Sequence, residues 1–503
     1  MTLNIEEMAT FCKKKGFVFP NSEIYGGLSG FFDFGPLGVE VNNKIKQTWW
    51  KRFVQDRDDV VGIDGSIVSS KDVWKASGHI DSFADVLIEC RKCNARHRAD
   101  HLIEDQHNLN VEGKSLEYFN ATIKEKGLKC PKCQSEEFGE CSQFNLMFKT
   151  YVGPKETGEN LAYLRGETAQ IIFTNFKNVI DTTRVKLPFG IAQTGKAFRN
   201  EISPREFLFR VREFEQMEIE FFTHPGKADD CPLLKPYLDL ELNVYSAENQ
   251  EKGEEQTKIT VQELLNLQIN KWQAYWLVQE FLWFTEDLGM KPENLRVREH
   301  TKEELAHYAK ACFDLDYNFP FGWKEIYGLA DRGQFDLTQH KEHSGKNLEY
   351  FNEQTQEKII PRVAAEPSQG VGRAFLALMF DAYKTRTDEK GKAITVLNFS
   401  PKVSPFFCTV LPLVKNKEEV TNKAKEVYQQ IKTCYSCYYD ESASVGRRYA
   451  RADEIGVNYC ITVDFDTLKD DCVTIRDRNT TKQERIKISE LNNKLFNLYF
   501  TKI

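Results

Sequence analysis

The chain has 503 residues, of which 41% are hydrophobic and 28% charged. This balance is typical of folded globular proteins and excludes a disordered or collagen-like chain. The length exceeds the roughly 100–200 residues of one domain, so we expect two or three domains. The net charge is −7 at pH 7, so no overall basic field indicates a nucleic-acid-binding protein, although a chain-wide charge does not exclude a local positive face.

Thirteen cysteines are too few for this length, and odd in number, for a secreted disulfide scaffold. No run of about 18 apolar residues predicts a membrane span. The acidic N-terminus differs from the basic and then apolar start of a signal peptide. We therefore expect a cytoplasmic protein with no membrane contact, whose thiols are reduced or bound to metal.

The first elements are helices. Residues 3–15 predict a short amphipathic helix that ends at Gly16. A second helix begins at Pro36, since proline suits a first helical turn and apolar residues then recur every four positions. These are Leu37, Val41, Ile45, Trp49 and Phe53. We expect this helix to serve packing or dimer formation.

A cysteine-rich segment spans residues 85–150. Its pairs, Cys90 with Cys93 and Cys130 with Cys133, have the spacing of two knuckles of a four-thiolate zinc site. The 36 residues between the pairs exceed the usual separation. Reduced thiols without metal are the alternative, and Cys141 and His97 are spare candidate ligands. We interpret Cys434 and Cys437 as incidental, since no second pair accompanies them.

The remaining elements suggest two units with a boundary near 398–405. Before it, we expect strands within 160–222, charged helices in 225–310, further strands in 321–340 and 358–366, and an apolar helix at 370–384. After it, strands and helices alternate, which predicts a compact α/β module. Its predicted strands are 406–414, 437–440 and 459–464, and its predicted helices are 416–432 and 445–455. From residue 403 onward the net charge is +2, against −9 for the rest.

The segment 196–222 predicts a β-hairpin with one chemical face. Met217, Ile219 and Phe221 alternate on one side of the second strand. The opposite side carries Arg210, Arg212, Phe214, Gln216, Glu218 and Glu220, and Arg199 and Glu201 share a face of the partner strand. Arginines can grip phosphate oxygens, an aromatic ring can stack on a base, and a carboxylate can accept from an exocyclic amine. A nucleoside triphosphate site is therefore one interpretation, and surface ion pairs across the strands are the other.

Three segments together resemble a known family. Phe198-Arg199-Asn200-Glu201, followed by Arg210, Phe214 and Glu218 at intervals of four, is similar to motif 2 of class II aminoacyl-tRNA synthetases. Gly370-Val371-Gly372-Arg373 resembles motif 3, and the helix from Pro36 resembles motif 1. All three occur in the order of the class.

Within that class, nearly the whole chain resembles glycyl-tRNA synthetases of the homodimeric type. The segments that carry this resemblance are 165–170, 325–332, 366–368 and 448–456. Gly166 stands where the family usually has proline, and Gly372 where some members have aspartate. Neither change removes a charged ligand.

The resemblance implies an ATP site in which Arg199, Glu325 and Arg373 are catalytic. Arg199 would contact the α-phosphate and Arg210 and Arg373 the other phosphates, while Glu201 and Phe214 would hold the adenine. Glu325 would lie at the ATP–Mg²⁺ site. The full implied set is Arg199, Asn200, Glu201, Phe209, Arg210, Val211, Phe214, Glu325, Ile326, Gly370 and Arg373.

The resemblance also implies a glycine site and a reaction. The implied glycine ligands are Glu167, Glu218, Glu366, Pro367 and Ser368, with Arg98 as an addition. Glycine would be activated as glycyl-adenylate with release of pyrophosphate, and then transferred to its tRNA with release of AMP. Because no amino acid is smaller than glycine, steric exclusion is sufficient and we expect no editing domain.

The implied fold is α+β, with a catalytic antiparallel sheet flanked by helices and a C-terminal α/β anticodon-binding domain. We expect the catalytic domain at 1–400, including a cysteine-rich insert at 85–150 and a helical insert at 225–310, and the anticodon-binding domain at 401–503. The partners would be ATP with Mg²⁺, glycine, glycine tRNA near Arg447 to Arg451, structural Zn²⁺ and a second copy of the chain. Two alternatives stay open: a non-catalytic nucleic-acid-binding descendant, and a sister synthetase for threonine, proline, serine or histidine.

Overall fold

The computed structural model describes residues 3–500 except 108, 110, 112, 113, 305–310, 354, 388–390 and 392. A nine-stranded sheet forms its centre. Its strands are β1 Val60–Ile63, β2 Phe189–Phe198, β3 Glu213–Thr223, β4 Glu241–Tyr245, β5 Thr257–Thr260, β6 Leu295–Glu299, β7 Cys312–Phe319, β8 Gly322–Ala330 and β9 Arg362–Gly370. Their spatial order is β5-β4-β6-β7-β8-β9-β3-β2-β1. Neighbouring strands are antiparallel except for two parallel pairs, β1 with β2 and β4 with β6.

The segment 225–310 differs from the expected helical insert. It contains the helix Lys271–Leu282, but it also supplies β4, β5 and β6 of the central sheet. The prediction of helices alone was therefore wrong. Charged side chains on these short strands hid the alternation of Leu242 and Val244, both of which are buried.

The first two predicted helices are confirmed. Ile5–Lys15 begins with a capping box at Asn4 and ends at Gly16, whose φ of 79° lies in the left-handed region. Pro36–Trp50 has proline in its first turn. Val41, Ile45 and Trp49 are buried along one side of it, so the four-residue spacing marked the packing face correctly.

Helices cover both faces of the central sheet. On one face, the helices Pro36–Trp50, Lys271–Leu282 and Val371–Ala382 enclose the largest apolar core. On the other, Ala169–Thr182 packs with Phe335–Ser344 over a smaller core. The other helices before residue 400 are Lys71–Ala76, His79–Ser82, Ala99–His107, Leu116–Glu125, Ala247–Lys252 and Val261–Leu264.

One carboxyl group is enclosed in the largest core. Glu280, on the helix Lys271–Leu282, is completely buried and accepts a hydrogen bond of 3.1 Å from Trp49 Nε1. Burial raises the pKa of Glu280 to about 8. The raised pKa favours the neutral form of the group, which avoids the cost of burying an ion.

The cysteine-rich segment folds around a core of its own. Ile88, Leu102, Ile103, Phe119 and Ile123 are among the residues buried there. Its small sheet consists of Ala84–Glu89, Arg96–Arg98 and Ser142–Asn145. The remaining short strands are Val18–Pro20, Phe32–Phe34, Val68–Ser70, Lys149–Tyr151, Leu161–Leu164, Tyr350–Asn352, Glu357–Ile359, Tyr383–Thr387 and Ala393–Leu397.

The C-terminal module matches its predicted α/β alternation. Its five-stranded sheet contains, in spatial order, Cys437–Tyr439, Cys408–Pro412, Tyr459–Val463, Cys472–Asp477 and Gln483–Lys487. Its helices are Glu418–Ile431, Val445–Glu454, Thr467–Asp470 and Ile488–Phe500. A separate apolar core begins at Phe407, whereas the largest core of the preceding part of the chain ends at Val403. Among the described residues, no helix is long and apolar enough to cross a membrane.

Candidate functional site

A cleft of about 400 Å³ opens beside the ends of β3, β8 and β9. It brings together residues that are far apart in the sequence, because antiparallel neighbours place residues 213–223, 322–330 and 362–370 side by side. The side chains and glycines that line it include Phe83, Asp85, Arg98, Arg199, Glu201, Phe209, Arg210, Val211, Phe214, Gln216, Glu325, Ser368, Gly370 and Arg373. Most of the predicted ATP-site residues therefore share one cavity.

The predicted hairpin exists, but its strands are shorter than expected. β2 ends at Phe198 and β3 begins at Glu213, so Arg199, Glu201, Arg210 and Arg212 lie in the connecting loop. Arg212 holds this loop: its guanidinium donates to Glu201 O at 2.7 and 3.0 Å and to Ser29 O at 2.7 Å. The alternation of polar residues could not show where the pairing of β2 with β3 ends, because the loop continues the same polar pattern.

Arg199 is held between two aromatic rings. Its guanidinium carbon lies 5.2 Å from the ring centre of Phe83 and 5.3 Å from that of Phe214. Its Nε donates to Gly166 O at 3.1 Å. Stacking and a backbone bond together fix the plane of the guanidinium at the wall of the cleft.

Arg373 and Glu325 form an ion pair at the other side of the cleft. Arg373 Nη1 lies 3.0 Å from Glu325 Oε1 and also donates to Glu325 O at 3.1 Å. The Arg373 guanidinium lies 4.4 Å from the ring centre of Phe209. Burial alone would raise the pKa of Glu325, but the ion pair outweighs burial and holds it below its ordinary value. Glu325 is therefore an anion at neutral pH.

Arg210, Glu201 and Arg98 form the third part of the wall. Arg210 Nη1 lies 3.7 Å from Glu201 Oε2, and this oxygen is buried and accepts no hydrogen bond from the described residues. Arg98 lies 2.8 Å from Asp85, and burial raises the pKa of Asp85 to about 6. Arg98 thus lines the same cleft as Arg210 and Glu201.

Two predicted ATP-site residues are placed differently from the rest. The Ile326 side chain is completely buried in the apolar core, so its backbone is the part that could meet a ligand. Asn200 lies in the loop and donates its backbone N–H to Leu146 O at 2.7 Å. Both are neighbours of charged cleft residues in the sequence.

A buried carboxylate cluster lies next to the cleft. Glu218 and Glu220 alternate on β3, and Glu366 lies on β9; one oxygen of each lies within 4.8 Å of the others. All three are buried. The predicted ligands Glu218 and Glu366 therefore lie in one cluster. Ser368 lines the cleft beside this cluster, and Gln216 Nε2 donates to Ser368 Oγ at 3.5 Å. Pro367 occupies the opposite face of β9 because strand residues alternate.

Glu167 completes this arrangement from the start of the helix Ala169–Thr182. Its neighbour Thr168 donates its hydroxyl to Glu218 Oε2. His79 Nε2 lies 3.4 Å from Glu167 Oε2. Burial would raise the pKa of Glu167, but His79 and Arg332 outweigh it and lower the pKa. His79 had no predicted role.

Arg332, which had no predicted role, is bonded to the carboxylate cluster. Its Nη1 donates to Glu366 Oε1 at 2.8 Å, and its Nε and Nη2 donate to Asp336, each at 2.8 Å. Burial nevertheless raises the pKa of Glu366 to about 8, with a contribution from Glu218 and Glu167. Arg332 precedes the helix Phe335–Ser344, on which Asp336 lies, so no helical spacing in the sequence indicated this ion pair.

The two cysteine knuckles come together as predicted. Cys90 Sγ lies 3.6 Å from Cys133 Sγ, and Cys93 Sγ lies 3.7 Å from Cys130 Sγ. Sulfurs at the corners of a zinc tetrahedron with 2.3 Å bonds would be about 3.8 Å apart. These two separations are close to the edge length of such a tetrahedron, and all four sulfurs lie within 4.8 Å of one another. His97 Nε2 lies 3.4 Å from Cys130 Sγ.

The three neighbouring arginines of the C-terminal module, Arg447, Arg448 and Arg451, differ in their exposure to solvent. Arg448 is 1% exposed and donates to Pro412 O at 2.6 Å and to Asp440 O at 3.1 Å. It is a structural residue, so its predicted contact with tRNA was wrong. Arg447 is exposed, and Arg451 is paired with Asp440 at 2.5 Å.

Similar proteins are known along the whole chain. Residues 148–289 match the family described as tRNA synthetase class II core domain (G, H, P, S and T), and residues 408–498 match the anticodon binding domain family. The glycine–tRNA ligase of Acetivibrio thermocellus is 46% identical over 492 residues, which span 97% of this chain and 96% of the relative. That of Clostridium acetobutylicum is 46% identical over 494 residues, covering 97% of both chains. A solved prolyl-tRNA synthetase from Cryptosporidium parvum shares the fold, with a TM-score of 0.58 and 14% identity, over 98% of this chain and 75% of that one.

Proposed function

Because the chain belongs to the glycine–tRNA ligase family, class II synthetases that join glycine to tRNA, we propose that its cleft is where ATP and glycine react to form glycyl-adenylate. The observation that carries this proposal is the contact between an arginine-lined cleft and a buried carboxylate cluster. The two alternatives, a non-catalytic descendant and a sister synthetase, are not favoured by relatives that are glycine–tRNA ligases over their whole length.

ATP would occupy the part of the cleft between Arg199 and Arg373. Arg199 would contact the α-phosphate, and Arg210 and Arg373 the β- and γ-phosphates, because guanidinium groups match phosphate oxygens with forked donors. Phe214 would stack on the adenine. The Glu201 oxygen that accepts no hydrogen bond from the described residues would accept from the adenine amine. Class II synthetases use ATP with Mg²⁺, and the ionised Glu325 is the residue that would stand beside that ion, which neutralises phosphate charge.

Glycine would lie at Ser368, with its ammonium group directed at Glu218, Glu366 and Glu167. Several acceptors are needed because glycine has no side chain to grip. Its carboxylate would then attack the α-phosphorus in line, and pyrophosphate would leave. The protein contributes positioning and stabilisation of developing charge. The terminal 3′ hydroxyl of tRNA would next accept the glycyl group, releasing AMP.

Amino-acid-dependent exchange of pyrophosphate into ATP tests this proposal. We expect exchange with glycine in the absence of tRNA, since adenylate formation needs only the cleft. Exchange with threonine or proline but not glycine would contradict the glycine pocket. No exchange with any amino acid would contradict the assignment of the cleft.

We also propose that Cys90, Cys93, Cys130 and Cys133 bind one structural Zn²⁺. Support comes from the sulfur spacing and from the all-thiolate donor set, which suits zinc. A Cys90→Ser variant is expected to lose its zinc and to unfold at a lower temperature, since zinc binding contributes to folding. Metal content by mass spectrometry and thermal unfolding measure both effects.

The matched control for zinc binding is Cys434→Ser, because Cys434 is an exposed thiol outside the cluster. This variant is expected to keep both zinc content and melting temperature. Equal zinc content in wild-type protein and the Cys90→Ser variant would refute the site.

We propose further that the chain forms a homodimer through the helix Pro36–Trp50 and acts in the cytoplasm. A surface depression beside this helix is lined by Asn43, Lys46, Gln47 and Trp50, which offers both polar and apolar contacts to a second copy. Thirteen free thiols suit a reducing compartment that also holds tRNA and ATP. The molar mass in solution and the location of a tagged protein in cells test these two points; a monomer would contradict the first.

A further inference from the structure

Glu220 lies in the carboxylate cluster without a predicted role. It is 0% exposed, and neither of its carboxyl oxygens has a hydrogen-bond partner among the described residues. One of its oxygens lies within 4.8 Å of an oxygen of Glu218 and of Glu366. An ionised carboxylate in such a place, without a donor, would carry a large desolvation cost.

The charged groups that face Glu220 increase this cost. Glu218 comes from its own strand, Glu366 from β9, and Arg332 and Asp336 from the segment after β8. Arg332 is the cation of this set, and its hydrogen bonds go to Asp336 and Glu366. Burial and the neighbouring Glu366 raise the pKa of Glu220 well above its ordinary value, despite the opposing effect of Arg332.

We propose that Glu220 keeps its proton and acts as a positioning residue of the glycine site, where its hydroxyl is a donor beside Glu218 and Glu366. This inference rests on the proposed glycine pocket. A neutral Glu220 lowers the negative charge that the single ammonium group of glycine must balance. Its single O–H would donate to one of its two neighbours in the cluster, Glu218 or Glu366, whose oxygens lie within 4.8 Å of it. Glu220 thus acts on the position and charge of Glu218 and Glu366, and it does not contact the substrate itself.

Two replacements of Glu220 test whether its hydrogen-bond donor or its negative charge is needed for glycine binding. The Glu220→Gln variant keeps the shape of the side chain and supplies a permanent N–H donor, so we expect the KM for glycine to stay within about threefold of the wild type. Glu220→Leu removes the donor and should raise the KM for glycine by about tenfold or more, with the KM for ATP nearly unchanged. Glycine-dependent pyrophosphate exchange gives both constants.

The pH profile supplies a second readout. If deprotonation of Glu220 weakens glycine binding, the wild-type kcat/KM for glycine falls at alkaline pH, and the Glu220→Gln variant should lose this contribution to the fall. Glu280→Gln is the matched control, because Glu280 is also a buried carboxyl group but packs against Trp49 in the largest core. It should leave the KM for glycine and its pH dependence unchanged.

Each outcome is decisive. A Glu220→Gln variant with a tenfold higher KM for glycine would show that an ionised carboxylate is needed and would overturn the proposal. An unchanged KM for glycine in a folded Glu220→Leu variant would also overturn the proposal. If the leucine variant does not fold, the proposal is overturned when kcat/KM for glycine falls at alkaline pH in the Glu220→Gln variant as it does in the wild type. If Glu218→Gln also leaves the KM for glycine unchanged, the proposed glycine pocket itself fails.

Discussion

Replacing Arg199 by glutamine is expected to lower the kcat of glycine-dependent pyrophosphate exchange by about 10³-fold, because arginines that stabilise phosphoryl-transfer charge contribute effects of this size. Phe83 and Phe214 hold the guanidinium at 5.2 and 5.3 Å, so the positive charge is already oriented before ATP binds. Glutamine can replace one hydrogen bond but not the charge. The loss should therefore appear mainly in kcat rather than in the KM for glycine.

Arg296→Gln is the control for the loss of a stacked guanidinium. Arg296 lies on β6, away from the cleft, with its guanidinium 4.4 Å from the ring centre of Tyr245 and 4.7 Å from that of Trp323. It also pairs with Asp316 at 3.0 Å. The control should lose stability with little change in kcat. A similar loss of kcat in both variants would show that Arg199 acts through folding rather than on the phosphate.

Replacing Glu218 by glutamine should weaken the use of glycine by about 10²-fold in kcat/KM, while the KM for ATP changes little. The reason is that removal of one charge from a buried, hydrogen-bonded charge pair costs about 2–5 kcal/mol. In the proposed ATP site, by contrast, the phosphates contact other side chains. Burial and the nearby Glu167 raise the pKa of Glu218 in the free protein. The variant should therefore fold as stably as the wild type or more so, since one buried acid is removed.

Glu213→Gln provides the comparison on the same strand. Glu213 begins β3 and pairs with Lys196 near the surface, so its loss should change neither constant, as for most exposed ion pairs. Equal losses for glycine and ATP in the Glu218→Gln variant would contradict the division of the site into two parts. Thermal unfolding of each variant distinguishes a lost contact from a lost fold.

Local patterns predicted much of the fold. The four-residue spacing after Pro36 located a helix and its buried face, and the alternation of Met217, Ile219 and Phe221 located the central strand β3. The same approach failed in 225–310, where the strands are short and carry many charged residues. Strand ends were also misplaced at Arg199 and Arg210, since a polar loop continues the pattern of a polar strand face.

The candidate site was predicted in part, and most of that part came from the resemblance to synthetases. Residues at fixed spacing, such as Arg199, Glu201 and Phe214, were identified and lie in one cleft. Arg332 and Glu220 were given no role, because the sequence shows that a side chain is charged but not that it is buried against other charged groups. Arg448 was misassigned for the same reason: sequence shows its charge but not the carbonyl groups that enclose it.

The sequence alone determined many of the helices and strands, the paired cysteines and the charged residues that a nucleotide and an amino acid require, because these depend on neighbours within a few positions. The tertiary structure alone decided which charges are buried together. Whether Glu218, Glu220 and Glu366 are separate surface acids or one cluster depends on the pairing of β3 with β9, which joins residues about 150 positions apart. That pairing sets their desolvation and mutual repulsion, and hence which of them bear protons.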